Sequence, residues 1–249
     1  GLDGDLHGWN FATGDADLSD VGLHGTHVAG IVAASRGNGK GIAGIADARI
    51  AVLRTSTGTV SDVAKIDEAF GYAIAQGFPI ATASFTTTYN EALEEGMILA
   101  GEAGMFVVAA AGNDSKNLDL ENTYPASFDL DHVIAVAATD DMDQKCCGTN
   151  HGASVVEIAA PGDHILSTYP KAETVACDQY VPKSGSSMAA PHVAGVIALI
   201  LAVHPDATVD EVRQCLARGD EAMVGETVWG VRLNAVSYTH LTLPTNREV

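Results

Sequence analysis

Three short stretches carry residues that can move protons, attack a carbonyl or stabilise an anion. The first is His24-Gly-Thr-His27-Val-Ala-Gly-Ile-Val-Ala-Ala. Its small and apolar residues describe a packed helix with His24 at the N-terminus. The helix dipole disfavours a proton on an imidazole there, so a neutral ring able to act as a base is expected. Two histidines three apart also suit a metal on one helical turn, but no Glu completes a zinc-protease pattern. A core histidine is the plain alternative. The second stretch is Ser184-Gly-Ser186-Ser187-Met-Ala-Ala-Pro191-His192-Val-Ala-Gly195. A small-residue turn feeds an apolar helix, so a serine at the entry presents its hydroxyl among helix N–H groups, where negative charge can develop. An N-cap role for Ser186 or Ser187, with no chemistry, fits the same position. The third is Val107-Val-Ala-Ala-Ala111-Gly112-Asn113-Asp114, an apolar run ending in a turn. Asn113 there can offer its amide to a ligand at a strand's C-terminal end, or simply make the turn.

The elements that must hold these residues alternate along the chain. Strands are predicted at 48–54, 79–85, 105–111, 132–138 and 154–160, each short, rich in Val, Ile and Ala, and without strict two-residue alternation. That pattern belongs to a sheet buried on both faces. Ser61 can cap a helix carrying Val63, Ile66, Phe70 and Ile74; Asn90 opens one with Leu93, Met97 and Ala100; Thr208 opens the last, with Val209, Val212 and Leu216. The expectation is a single α/β domain with a mostly parallel buried sheet and helices on both faces.

Composition narrows the function classes. The chain has 249 residues, 47% hydrophobic and 18% charged, which excludes a disordered or coiled-coil protein. Against 32 acidic residues stand 13 basic ones, a net charge of −19 that repels phosphate and speaks against nucleic acid. No apolar run reaches the roughly 20 residues of a membrane span, and Val193–Val203 reads as a buried helix. Cys146, Cys147, Cys177 and Cys215 show no metal-ligand spacing, and an adjacent pair seldom bridges to itself. Residues 236–249 lack periodicity and resemble translated adapter read-through, so the fold is expected within 1–235.

Together, and in this order, the three stretches resemble the histidine, oxyanion and serine motifs of the subtilisin-like serine proteases, the subtilases. The resemblance continues through Trp9-Asn-Phe11, Tyr124-Pro-Ala126, Ala160-Pro-Gly162 and Gly230-Val-Arg-Leu-Asn-Ala235. It implies a three-layer subtilisin-like fold and a serine endopeptidase acting on polypeptides, exported from the cell, monomeric and without a required cofactor. Ser187 is then the nucleophile, His24 the general base and acid, and Asn113 the oxyanion donor together with the Ser187 N–H. Ser84, Phe85 and Thr86 would line one side of the substrate groove and Ala110, Ala111 and Gly112 the other, with an extended peptide pairing between them.

The match has gaps. The family's triad Asp ends an early strand and precedes Ser/Thr-Gly, and neither feature stands before His24. The carboxylates there are Asp3, Asp5, Asp15, Asp17 and Asp20, and Asp20 falls in a loop four residues before His24. Gly1–Phe11 resembles family sequence that follows the triad Asp, so the expectation is a chain truncated after it and nearly inactive alone. A subtilase fold that binds a peptide or partner without cleaving it is the alternative function. A hydrolase of the Gly-x-Ser-x-Gly type is disfavoured, because its serine precedes its histidine. Leu23 stands where the family usually has Gly, and Thr86-Thr87 where it often has glycines. The Gly37–Gly41 turn is where relatives can hold structural calcium, and Lys40 argues against a cation there.

Overall fold

Burial on both faces turns the Val- and Ala-rich runs into strands. The computed structural model describes residues 5–20, 22–58, 62–170, 180–219, 223 and 225–234. In chain order the elements are β1 (Gly8–Asn10), α1 (Gly25–Ala33), β2 (Val52–Arg54), α2 (Val63–Ala75), β3 (Ile80–Ala83), α3 (Glu91–Glu102), β4 (Phe106–Ala110), β5 (Val133–Thr139), β6 (Ile158–Pro161), β7 (Ile165–Thr168), β8 (Tyr180–Lys183), α4 (Ser186–Val203) and α5 (Val209–Leu216). Strands β3, β4, β5 and β6 form one parallel sheet in that spatial order, with Ala83 beside Ala109, Val108 beside Ile134 and Val136 beside Ile158. The expected strands are all present with shifted ends, most of them shorter, while β5 and β6 each run one residue further than expected. The run at 48–54, however, forms only β2, which pairs in parallel with β1 apart from the main sheet.

Alternation along β4 sorts the core into two layers. Phe106, Val108 and Ala110 point to one face with Ile134, Val136 and Ile158, where Ala189, Val193, Ile197 and Leu216 of α4 and α5 cover them. Val107 and Ala109 point to the other face with Val133 and Ala135, under Ile66, Phe70, Leu93 and Met97 of α2 and α3. Leu93 and Met97 are fully buried, and truncating either to Ala costs about 2–5 kcal/mol. Helix α4 is apolar nearly all round because it runs through this interior.

Asn90 caps α3 by accepting from Leu93 N–H, and Thr208 closes a capping box with Glu211, as expected. Helix α2 differs: its cap is Asp62, whose carboxylate accepts from Ala64 N–H, and Ser61 lies outside the described residues. Residues 236–249 lie outside them as well.

One buried carboxyl makes stability depend on pH. Glu157 accepts from Ala135 N–H at 2.7 Å and lies 3.7 Å from the Arg213 guanidinium, with 14% of its side chain exposed. Burial pushes its pKa up to about 7, against the opposing pull of the Ala135 N–H and Arg213. A carboxyl that holds its proton more tightly folded than unfolded stabilises the fold fully at low pH. That contribution is lost as pH rises from the unfolded value near 4.5 through about 7, roughly 3 kcal/mol in all. Glu157→Gln is neutral throughout and keeps an acceptor for Ala135. Its urea midpoint is expected to vary less than the parent's between pH 4.5 and 7, and an unchanged slope would refute this origin.

Candidate active site

The C-terminal ends of β3 and β4 and the N-termini of α1 and α4 carry the residues singled out above. Helix α4 begins at Ser186 behind Gly185, whose φ of 140° suits glycine alone. Neither serine caps the helix with its side chain, so the capping alternative fails. Ser186 is instead a buried clamp. Its backbone N–H donates to Asn113 Oδ1 at 2.8 Å, and its hydroxyl accepts from Gly112 N–H at 3.0 Å.

That clamp aims Asn113. With Oδ1 committed to Ser186, the Nδ2 donor of the same amide faces outward. Gly185 packs so closely on this amide that a Cβ there would sit 3.2–3.5 Å from its Nδ2, Oδ1 and Cγ. The Asn113 side chain is exposed, and among the described residues nothing accepts from its Nδ2 or from Ser187 N–H. Two unspent donors therefore stand together at a helix N-terminus, where an anion is also favoured by the dipole.

Ser187 is half-buried, and its hydroxyl donates to the Ser84 carbonyl at 3.3 Å. Pro191 explains why Ser84 is so near. Proline has no N–H, so the Ser187 carbonyl, four residues earlier, loses its helical donor. The Ser84 hydroxyl supplies the replacement at 2.9 Å. The side chain of Ser84 thus holds the Ser187 backbone.

His24 occupies the N-cap position of α1 without capping it. Its pKa is lowered, first by burial and then by the positive charge of Lys183, with Asp20 pulling the other way. A neutral imidazole at neutral pH follows, as the helix position suggests. Among the described residues no side chain hydrogen-bonds to His24, so Ser187 and His24 are not hydrogen-bonded in this arrangement, and no carboxylate lies within 4 Å of the His24 ring nitrogens. Asp20 spends its carboxylate elsewhere. Burial works against its charge, but the backbone N–H groups of Thr26, Leu23 and His24 outweigh that and hold its pKa below the usual range. Asp20 therefore anchors the start of α1 and does not orient the imidazole.

The second histidine is a core residue. His27 is fully buried with Nε2 on the Val181 carbonyl, so the pair does not present two ligands to one metal. Leu23 adopts φ 54°, a left-handed conformation that suits glycine and strains a leucine.

The groove residues divide. Thr86 is exposed, and its Cγ2 lies 3.3 Å from where a Cβ on Gly112 would sit, so these two residues adjoin. Phe85 packs partly into the core. Ala110 and Ala111 are buried, and the backbone of this wall is largely committed: Ala111 N–H to Val136, Gly112 N–H to Ser186, and both the Ala111 and Gly112 carbonyls to Asn150. Residues 110–112 thus form a rigid wall, and the expected strand pairing with a peptide finds few free groups on that side.

Two positioning features escape sequence reasoning. Asn150, fully buried, donates to the Ala111 carbonyl and accepts from Asp114 and Lys116 N–H, so it moulds the loop that carries Asn113. The antiparallel pair β7–β8 grips α1 through Ser167 on the His27 carbonyl and Thr168 on the Thr26 carbonyl, both at 2.7 Å. A buried polar Asn and a Ser-Thr pair carry no local signal of such distant partners.

Comparison with known proteins gives the family. The Subtilase family model matches residues 3–227. The "Thermophilic serine proteinase" of Bacillus sp. (strain AK1) is 40% identical over 206 residues, 80% of this chain and 48% of that protein. "Thermitase" of Thermoactinomyces vulgaris is 40% identical over 199 residues, 78% of this chain and 66% of that one. A solved protease of Pseudoalteromonas arctica PAMC 21717 superposes with a TM-score of 0.83 at 27% identity, covering 94% of this chain and 83% of its own. The chain thus spans about half the length of the first relative and about two thirds of the second. With the serine, histidine and asparagine set on the same sheet-and-helix frame, the chain belongs to the subtilase family.

Proposed function

We propose that this chain is a serine endopeptidase that hydrolyses polypeptides through an acyl-enzyme and works outside the cell. The observation that supports the chemistry is the Asn113 amide, fixed through Oδ1 to Ser186 N–H, with its Nδ2 and the neighbouring Ser187 N–H left without an acceptor among the described residues. For attack, Ser187 Oγ turns from the Ser84 carbonyl toward His24, which takes its proton as the oxygen bonds to the peptide carbonyl carbon. The carbonyl oxygen becomes an oxyanion and receives the two donors, which strengthen as charge develops. His24 then protonates the departing amine, and the C–N bond breaks to leave the acyl group on Ser187. Water repeats the sequence with His24 as base, releasing the acid and restoring the hydroxyl. The export part of the proposal rests on the likeness to subtilases.

A fluorophosphonate probe tests this directly, because it phosphonylates a serine only when a base activates it and an oxyanion site receives its oxygen. The adduct is expected on the peptide containing Ser187, and a chain labelled equally well as Ser187→Ala would refute the assignment. The pH dependence supplies a second check. Since burial and Lys183 depress His24, the acid limb of the labelling rate is expected below the ordinary imidazole value of 6.5. Lys183→Met removes the repelling charge and is expected to move that limb upward.

A further inference from the structure

Cys146 and Cys147 lie beside each other in space as well as in the chain, with Sγ atoms 2.7 Å apart and neither in a disulfide. Asp163, 16 residues further on, brings its Oδ1 to 3.4 Å from Cys147 Sγ. One ligand atom from each of the three residues fits within 4.8 Å of the others, and among the described residues this is the one such group of His, Cys, Asp and Glu. Chain spacing conceals it, because the carboxylate arrives from the turn after β6.

We propose that Cys146, Cys147 and Asp163 form a binding site for a soft metal cation of the Zn²⁺, Cd²⁺ or Cu⁺ class. Two sulfurs and one carboxylate oxygen are the donors such ions select, whereas Ca²⁺ and Mg²⁺ demand all-oxygen shells. Both sulfurs reaching one ion at about 2.3 Å need a separation near 3.7 Å, so the side chains open by about 1 Å on binding.

The surroundings suit a cation. The thiols line an open cavity of about 220 Å³ with Lys145, Gly148 and His151, so an ion and its remaining waters can enter. The one ammonium there is already paired, since Lys145 reaches Glu226 at 2.8 Å. Asp163 is held by the Ser184 hydroxyl at 2.7 Å and by His164 at 2.8 Å, and His164 is 82% exposed and free to swing away.

Cadmium is the probe, because its bonds to thiolate absorb in the ultraviolet. The titration uses the full chain carrying Cys177→Ser, in a phosphine reductant, with Cys215 buried. The thiolate band is expected to saturate at one Cd²⁺ per chain. Cys146→Ser or Cys147→Ser is expected to lower the affinity at least tenfold, and Asp163→Asn several-fold. Cadmium should also raise the thermal midpoint of the parent and leave the double variant Cys146→Ser/Cys147→Ser unmoved. A band that persists in the double variant, or that never saturates at one equivalent, overturns the proposal. None of these readouts depends on peptide hydrolysis.

Discussion

Residues 1–249 are expected to hydrolyse a peptide anilide about 10⁴-fold more slowly in kcat than a subtilase whose histidine carries its carboxylate. The reason is local to His24. In the described residues its imidazole has no carboxylate partner, and the nearest one in sequence, Asp20, is engaged with Thr26, Leu23 and His24 N–H groups. A carboxylate there selects the tautomer that leaves a lone pair toward the serine, and it stabilises the imidazolium formed during attack. The missing interaction corresponds to about 5.5 kcal/mol of barrier. Ser187→Ala provides the internal measure. In a subtilisin, loss of the serine costs about 2 × 10⁶ in kcat and loss of the triad Asp alone about 3 × 10⁴, and the effects do not add. With no carboxylate on His24 among the described residues, only about 10²-fold is left to lose at Ser187. A loss near 10⁶-fold would show that some carboxylate does reach His24, and would overturn this reading.

How much of this was readable beforehand follows from which interactions are local. Strands β4 and β5 announce themselves because Phe106–Ala110 and Val133–Thr139 are buried on both faces and so are apolar up to the closing Thr139. Caps at Asn90 and Thr208 were legible because the donor lies three residues away. Asp62 and Ser61 differ by one position and are both good capping residues, so local chemistry could not separate them. Ser187, His24 and Asn113 stood out only as a set, since each alone has an ordinary structural use. What positions them was hidden. Asn150 works across 34 to 39 residues, and Ser186 across 73 and 74, through single hydrogen bonds that leave no periodic trace. The short β1, β7 and β8 likewise owe their existence to partners far along the chain. The same limit applies at Ala110–Gly112, which looks like a free strand end until Asn150, Ser186 and Val136 are seen to take up its backbone groups.

Asn113→Asp separates the chemical role of this residue from its structural one. An aspartate keeps the oxygen that accepts from Ser186 N–H, so the clamp at 2.8 Å and the packing against Gly185 survive. It lacks the Nδ2 donor, and it sets a negative charge where the oxyanion must form. Removing one such donor costs about 10²–10³ in kcat, some 2.7–4 kcal/mol, a range established in a subtilisin. The added repulsion places Asn113→Asp at or beyond the upper end. KM should change little, because the donor acts on charge that appears only after attack. Asn113→Ala is the contrasting variant. It removes the donor and also strands Ser186 N–H inside the fold, which adds about 1–3 kcal/mol of destabilisation visible in the urea midpoint. The expected pattern is thus a kcat loss in both variants, with a stability loss confined to the alanine. If Asn113→Asp retained kcat within a factor of three, the two donors beside Ser187 would have no part in catalysis, and the assignment of the oxyanion site would fall with them.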